Sequence, residues 1–202
     1  METIRLIIVA VGGQGNLLAS KVLGEAALIS GVPVRMSEIH GMAQRGGVVE
    51  SAIVFGDATS SIISDAEADI LLGFEPVETL RALNRCSKET QVITSTATVP
   101  PFTVSIGEGV YPEVDDVKRL IREKCASLVA IDAMALAKEA GSPKSVNIVL
   151  LGALIQNGSL GFTKENVQEA IKRRTKPAFL DMNLNAFELG YKAAQACTEK
   201  VS

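Results

Sequence analysis

The chain predicts a three-layer α/β domain: a mostly parallel sheet with helices on both faces and a C-terminal helical layer. Three observations lead there. Short apolar runs alternate with segments of helical periodicity through the first two thirds of the sequence. The first run ends in clustered glycines, as a buried strand does when the chain must turn sharply into a helix. The last third is helical in pattern throughout. With 202 residues and no repeat, low-complexity tract or linker, residues 1–202 read as a single domain.

Each element has its own reason. Ile4–Val11 (IRLIIVAV) is almost continuously apolar and reads as a strand buried on both faces. In Asn16–Ser30 the apolar residues Leu18, Val22, Ala26 and Ile29 recur near helical spacing, and Gly31 and Pro33 stop the helix. Val34–Ile39 and Val48–Phe55 are strand candidates either side of a polar, glycine-rich loop, His40–Gly47. Ser60–Ser64 reads as an edge strand or a loop. Ala68–Gly73 is another buried strand, after which Pro76 suits the first turn of a helix reaching about Arg85. Gln91–Ser95 is strand-like, and Pro100-Pro101 opens an irregular stretch. Val114–Lys124 carries Val117, Leu120 and Ile121 on one helical face, and Leu128–Ile131 is a short strand. Ala133–Ala140 is a helix closed by Gly141 and Pro143. Val146–Gly158 is apolar nearly all round, so it should be a buried helix. Thr163 can cap a helix over Lys164–Arg174, and Asp181 or Asn183 can start a last one reaching about Thr198.

Composition narrows the chemistry. Hydrophobic residues make up 47% and charged ones 21%, which is a globular balance. One histidine and three cysteines cannot assemble a four-cysteine iron–sulfur or zinc site within one copy of the chain. A Ser–His–Asp mechanism would have to run through His40. Cys86, Cys125 and Cys197 show no CxxC spacing and read as small hydrophobes in a reducing cytoplasm. The net charge is −3. The longest basic run, Lys172-Arg173-Arg174, falls at a predicted helix end where cations suit the dipole, so nucleic acid is not an expected partner. The apolar stretches Leu6–Gly13 and Ile148–Ile155 are too short to span a bilayer, and no membrane association is expected.

Two loops stand out. Gly12-Gly13-Gln14-Gly15 sits where a strand meets a helix N-terminus, a place that suits an anion or a nucleotide phosphate. It meets the Rossmann dinucleotide fingerprint only in part. The three glycine places hold Ala10, Gly12 and Gly15, and Glu38 lies near the place of the ribose-binding acid. Gln14, a donor and an acceptor at once, is not something a plain pyrophosphate cradle needs. The alternative is that the glycines only let helix and sheet pack closely. The second loop, Ser37–Gly47 (SEIHGMAQRGG), surrounds an imidazole, an amide and a guanidinium with three glycines. Arg45 supplies a fixed fork suited to carboxylate or phosphate. In a doubly wound sheet both loops should face one crevice at the carboxyl ends of the strands. The chain has no P-loop.

These segments together resemble the gamma-type domain of the 2-oxoacid:ferredoxin oxidoreductases. The likeness rests on V-G-G-Q-G-N (Val11–Asn16), S-E-I-H-G-M-A-Q-R-G-G (Ser37–Gly47) and A-D-I-L-L-G-F-E-P-V-E (Ala68–Glu78). N-I-V-L-L-G-A-L (Asn147–Leu154) and A-F-E-L-G-Y (Ala186–Tyr191) add to it, and nearly the whole chain is covered. Two positions depart from the family's more general pattern. Ala10 stands where most relatives have glycine, and Ala43 where an acidic residue precedes Arg-Gly-Gly. The H-G-M-A-Q-R-G-G form is more like the indolepyruvate branch, which favours an aryl-pyruvate substrate.

The resemblance implies a subunit of an enzyme that oxidatively decarboxylates a 2-oxoacid to an acyl-coenzyme A and passes electrons to ferredoxin. Thiamine diphosphate and 4Fe-4S clusters would reside in a larger alpha subunit, through which ferredoxin is reached, and coenzyme A would be the co-substrate. This chain would supply no covalent catalyst and no metal ligand, and it is not expected to bind a cofactor alone. Gly12, Gly13, Gln14, Gly15 and Asn16 would offer backbone N–H groups to an anion. Ser37, His40, Gln44, Arg45, Gly46 and Gly47 would line the same crevice, with Arg45 paired to a phosphate or a partner carboxylate. The rival readings are the equivalent subunit of a pyruvate, 2-oxoisovalerate or 2-oxoglutarate enzyme, a free-standing NAD(P)-dependent dehydrogenase, and an assembly module with an empty crevice.

Overall fold

Ile4–Val11 forms the central strand β1, and what pairs with it fixes the architecture. The computed structural model describes residues 2–40, 47–101, 104, 106–157 and 160–200. Its further strands are β2 (Val34–His40), β3 (Val48–Phe55), β4 (Ala68–Gly73), β5 (Cys86–Ser95), β6 (Ser127–Ile131) and β7 (Thr198–Lys200). The sheet order is β2-β3-β1-β4-β5-β6-β7. β1, β4, β5 and β6 are parallel neighbours. β3 runs antiparallel to both β1 and β2, so β2 has the direction of β1. Five strands therefore end at one edge of the sheet, and that edge carries the loops singled out above.

The pleat divides the core into two parts. Leu6, Ile8 and Ala10 face a large cluster built with α1 (Asn16–Ile29), α4 (Ala133–Glu139), α5 (Val146–Asn157), α6 (Lys164–Arg174) and α7 (Leu180–Cys197). Ile7 and Val9 face a smaller cluster in which Val117 and Ile121 of α3 (Val114–Lys124) take part; α2 (Pro76–Arg81) also packs on this side. Burial on both faces is the reason β1 reads as a continuous apolar run. The all-round apolar α5 has the same cause: it is buried from Val146 to Leu154, between the sheet and α7. α5 and α7 cross closely enough that a Cβ on Gly152 would lie 2.0 Å from the Phe187 carbonyl oxygen. One on Gly190 would lie 1.9 Å from that of Val149.

Several elements differ from the sequence reading. β3 lies between β1 and β2, so the second strand is not the neighbour of the first. β5 begins at Cys86 rather than Gln91, because a register shift lets the polar residues Ser87–Thr90 join the strand. Thr90 holds that irregularity: its hydroxyl accepts from the Ser87 N–H at 2.8 Å and donates to the Ala68 carbonyl at 2.6 Å. Ser60–Ser64 is a loop. The helix after Pro76 is α-helical only to Arg81 and tightens into a 3₁₀ turn over Ala82–Arg85. The last helix begins at Leu180, and Thr198 leaves it to pair in β7 against β6. Cys86 and Cys125 are buried as small hydrophobes, and they meet in the smaller cluster. The contact with Cys125 and burial push the Cys86 thiol up from its ordinary pKa. Cys197 is exposed. No helix among the described residues is long and apolar enough to cross a membrane.

Candidate functional site

The glycine loop closes β1 with two left-handed residues, Gly13 (φ +100°) and Gly15 (φ +87°), and Gly15 is the N-cap of α1. Its carbonyl accepts from Leu18 and Ala19, both at 3.1 Å, and from the Asn147 side-chain amide at 3.2 Å. Asn147 begins α5 in the far part of the sequence, so the loop is clamped from behind. No backbone carbonyl among the described residues accepts from the N–H groups of Gly13, Gly15, Asn16 or Leu17. α1 also has no acidic residue in its first turn. Open amides, a helix dipole and no competing carboxylate make this a place for an anion.

Gln14 is occupied otherwise. Its Oε1 accepts from the Val11 N–H at 2.8 Å, and its Nε2 donates to the Phe74 carbonyl at 3.3 Å. Both functions of the amide are used to tie the end of β1 to the end of β4. Asn16 is likewise part of the wall. It is buried, its Nδ2 donates to the Val49 carbonyl at 3.2 Å, and its Oδ1 accepts from the Ser51 hydroxyl at 3.0 Å. That leaves the backbone N–H of Asn16, not its side chain, for a ligand.

The second loop reaches the first by an unexpected route. Because β3 returns beside β1, Val48 pairs with Val11, and the Gly12 N–H donates to the Gly47 carbonyl at 2.8 Å. Gly12 and Gly47 thus stand together. Ser37 does not join them. It pairs with Ala52 three residues before the end of β2, about 10 Å back along the strand. The backbone of His40 pairs with Val49 at the end of β2. Gln44, Arg45 and Gly46 lie outside the described residues. The inserted β3 also moves Glu38 two strand spacings, about 10 Å, from β1, which is not where a ribose-binding acid stands beside its glycine loop.

The structure adds residues that the sequence reading did not assign. Glu75, N-cap of α2, is fully buried. Its carboxylate accepts from the Glu78 N–H at 2.9 Å, from the Val99 N–H at 3.3 Å and from the Tyr111 hydroxyl. Burial, together with the Glu75 carboxylate, pushes the Tyr111 phenol above its ordinary pKa. One carboxylate therefore fixes three segments next to the glycine loop. Glu78, also buried, pairs through Oε1 with Arg81 at 2.8 Å, but its Oε2 has no hydrogen-bond partner. Desolvation pushes its carboxyl up from the ordinary value, more strongly than Arg81 pulls it down. The visible signal was Glu75-Pro76-Val77-Glu78: a cap, a proline at N1 and an acid at N3.

Comparison with known proteins shows the family and the fold. Residues 5–193 match the family model described as pyruvate ferredoxin/flavodoxin oxidoreductase. The indolepyruvate oxidoreductase subunit IorB of Thermococcus kodakarensis is 41% identical over 197 residues, covering 96% of this chain and 98% of that protein. Two solved structures share the fold. One is a keto/oxoacid ferredoxin oxidoreductase gamma subunit from Geobacter sulfurreducens, with TM-score 0.74 and 22% identity over 98% of this chain and 100% of that one. The other is a 2-oxoglutarate:ferredoxin oxidoreductase from Magnetococcus marinus, solved with 2-oxoglutarate, coenzyme A and succinyl-CoA. Its TM-score is 0.74, with 18% identity over all of this chain and 32% of that one. With the family model matched over nearly its whole length, the chain belongs to the pyruvate ferredoxin/flavodoxin oxidoreductase family.

Proposed function

We propose that this chain is the non-cluster subunit of an indolepyruvate-type 2-oxoacid:ferredoxin oxidoreductase, working in the cytoplasm beside a larger alpha subunit. The observation that carries the reading is 41% identity over 98% of a subunit with that name. In the reaction the bond between the carboxylate and the 2-oxo carbon breaks and carbon dioxide leaves. The acyl group bonds to the sulfur of coenzyme A, and two electrons pass one at a time to ferredoxin.

This chain's residues do not fit the redox groups. Two of its three cysteines are buried against each other, and no cluster of metal-ligating side chains occurs among the described residues. The clusters are therefore assigned to the alpha subunit, and the resemblance implies that thiamine diphosphate resides there too. The work left for this chain is to bind and orient. The open amides of Gly13, Gly15, Asn16 and Leu17 hold an anionic group of coenzyme A or substrate at the start of α1. In this reading Arg45 would pair with that group and His40 would hydrogen-bond to it, while Glu75 keeps the third wall in register.

The test is to co-produce the chain with its alpha subunit and follow ferredoxin reduction with indolepyruvate, phenylpyruvate and pyruvate in parallel. Arg45→Ala should raise the KM for coenzyme A or for the 2-oxoacid by about tenfold or more. A complex that reduces ferredoxin only with pyruvate would contradict the aryl-pyruvate assignment.

A further inference from the structure

Behind the glycine loop lies a second cleft, of about 290 Å³, between α1, the start of α5 and the α6–α7 junction. Leu18, Met182 and Phe179 are among its apolar lining residues, and Lys144, Lys176 and Arg174 are its basic ones. Asn147 lines it as well, with its amide committed to Gly15, so the two places share a wall.

The charges in the cleft are not equivalent. Arg174 is committed: its Nε and Nη2 donate to Glu25 at 3.1 and 2.6 Å, and this contact draws the Glu25 carboxyl below its ordinary pKa. The uncharged polar groups are committed too. The Ser145 hydroxyl donates to Asn183 at 2.9 Å, and the Asn183 amide donates to Thr175 at 3.3 Å. Lys144 and Lys176 remain as cations with no acidic partner among the described residues. Two helices start at the same cleft, α5 through the turn Pro143–Ser145 and α7 through the turn Pro177–Phe179. Their dipoles add to the positive field. Phe179, 52% exposed, adds an open aromatic surface to this charged cleft.

We infer that this cleft binds a phosphorylated nucleoside, with the phosphate at Lys144 and Lys176 and the base against Phe179. Ammonium groups are compact point charges suited to a phosphate dianion. The planar fork that would favour a carboxylate is already taken by Glu25. A flat aromatic base suits the exposed ring, with Met182 and Leu18 as further apolar lining of the cleft. The volume admits one nucleoside phosphate and not a whole dinucleotide. The inference does not rest on the proposed reaction, although the nucleotide end of a longer cofactor is one source of such a group and a free nucleotide another.

The experiment is calorimetric titration of the full chain with AMP, adenosine 3′,5′-bisphosphate, coenzyme A, inorganic phosphate and indole-3-acetate. The nucleotides should bind, more weakly as salt rises, and about tenfold or more tighter than phosphate. The double variant Lys144→Gln/Lys176→Gln should weaken them by about tenfold or more, and Phe179→Leu by about threefold. Arg45→Ala, directed at the separate glycine-loop site, should leave AMP and the bisphosphate unchanged. Thermal melts confirm that each variant is folded. Coenzyme A or the bisphosphate binding more tightly than AMP supports the site and names a longer cofactor as the source; AMP binding most tightly supports it and names a free nucleotide. Nucleotides no tighter than phosphate, tighter binding of indole-3-acetate, or loss confined to Arg45→Ala would each overturn it. Ferredoxin reduction with indolepyruvate, measured with the alpha subunit, reports separately on the proposed function.

Discussion

Glycine serves opposite ends in the edge loop and at the helix crossing. In the loop, Gly13 has nothing within 4 Å of where a side chain would stand, and what it supplies is a left-handed backbone with a free N–H. At the crossing, Gly152 and Gly190 have ordinary helical backbone, and what they supply is space: a Cβ at either would meet a facing carbonyl oxygen at about van der Waals overlap. The first use leaves polar groups open to a ligand, whereas the second closes the core behind them. Gly15 does both, being left-handed and lying where a Cβ would stand 2.6 Å from the Asn147 amide. This edge of the sheet is thus held in place by the helical layer beneath it.

The comparison can be broken at its packed end. Gly190→Ala and Gly152→Ala should each cost about 3 kcal/mol or more, because the obstacle is backbone of a buried helix that cannot step aside. Denaturant unfolding or loss of soluble protein would show it. Gly15→Ala should cost about 2 kcal/mol, from left-handed strain and displacement of Asn147. It should also raise the KM for coenzyme A or substrate in the complex. Gly13→Ala sharpens the contrast: it should cost only about 1 kcal/mol, since strain acts there without a clash. Equal losses at Gly13 and Gly190 would erase the distinction.

The smallest effect concerns Glu78. Its folded carboxyl is raised above the ordinary value by desolvation, so between the two pKa values the native state keeps a proton that the unfolded chain has lost. Stability therefore falls as pH rises through that window. Arg81, Glu75, Glu50 and Arg85 lie around the group. Glu78→Gln should flatten the stability profile from about pH 4.5 upward, read as denaturant midpoints across pH. An unchanged slope would mean that the carboxyl is ionised throughout.

Much of the architecture was legible because periodicity reports burial. β1 is apolar on both faces, α5 is apolar all round, and Thr163 caps α6 with Asn166 closing the box. What periodicity does not carry is partnership. Val48–Phe55 announces a strand, but nothing in it says that it will lie between β1 and β2. Ser87–Thr90 looks like a loop until the Thr90 hydroxyl bridges it to β4. The site shows the same limit. Gly12–Gly15 was visible as a turn into a helix, but the commitment of Gln14 depends on Phe74, 60 residues away. Tyr111 and Glu75 meet across 36 residues, and Lys144 and Lys176 line one cleft only because two helix starts converge there. Long-range polar contacts follow from topology, and single-sequence patterns end before topology begins.

If the proposed function holds, this chain completes an aryl-pyruvate oxidoreductase without carrying its redox groups. The most direct measurement is coenzyme A-dependent reduction of ferredoxin by the alpha subunit, with and without this chain, using indolepyruvate against pyruvate. Full activity should require both chains, and kcat/KM for indolepyruvate should exceed that for pyruvate by about tenfold or more. Full activity from the alpha subunit alone, or reduction of NAD in place of ferredoxin, would contradict it.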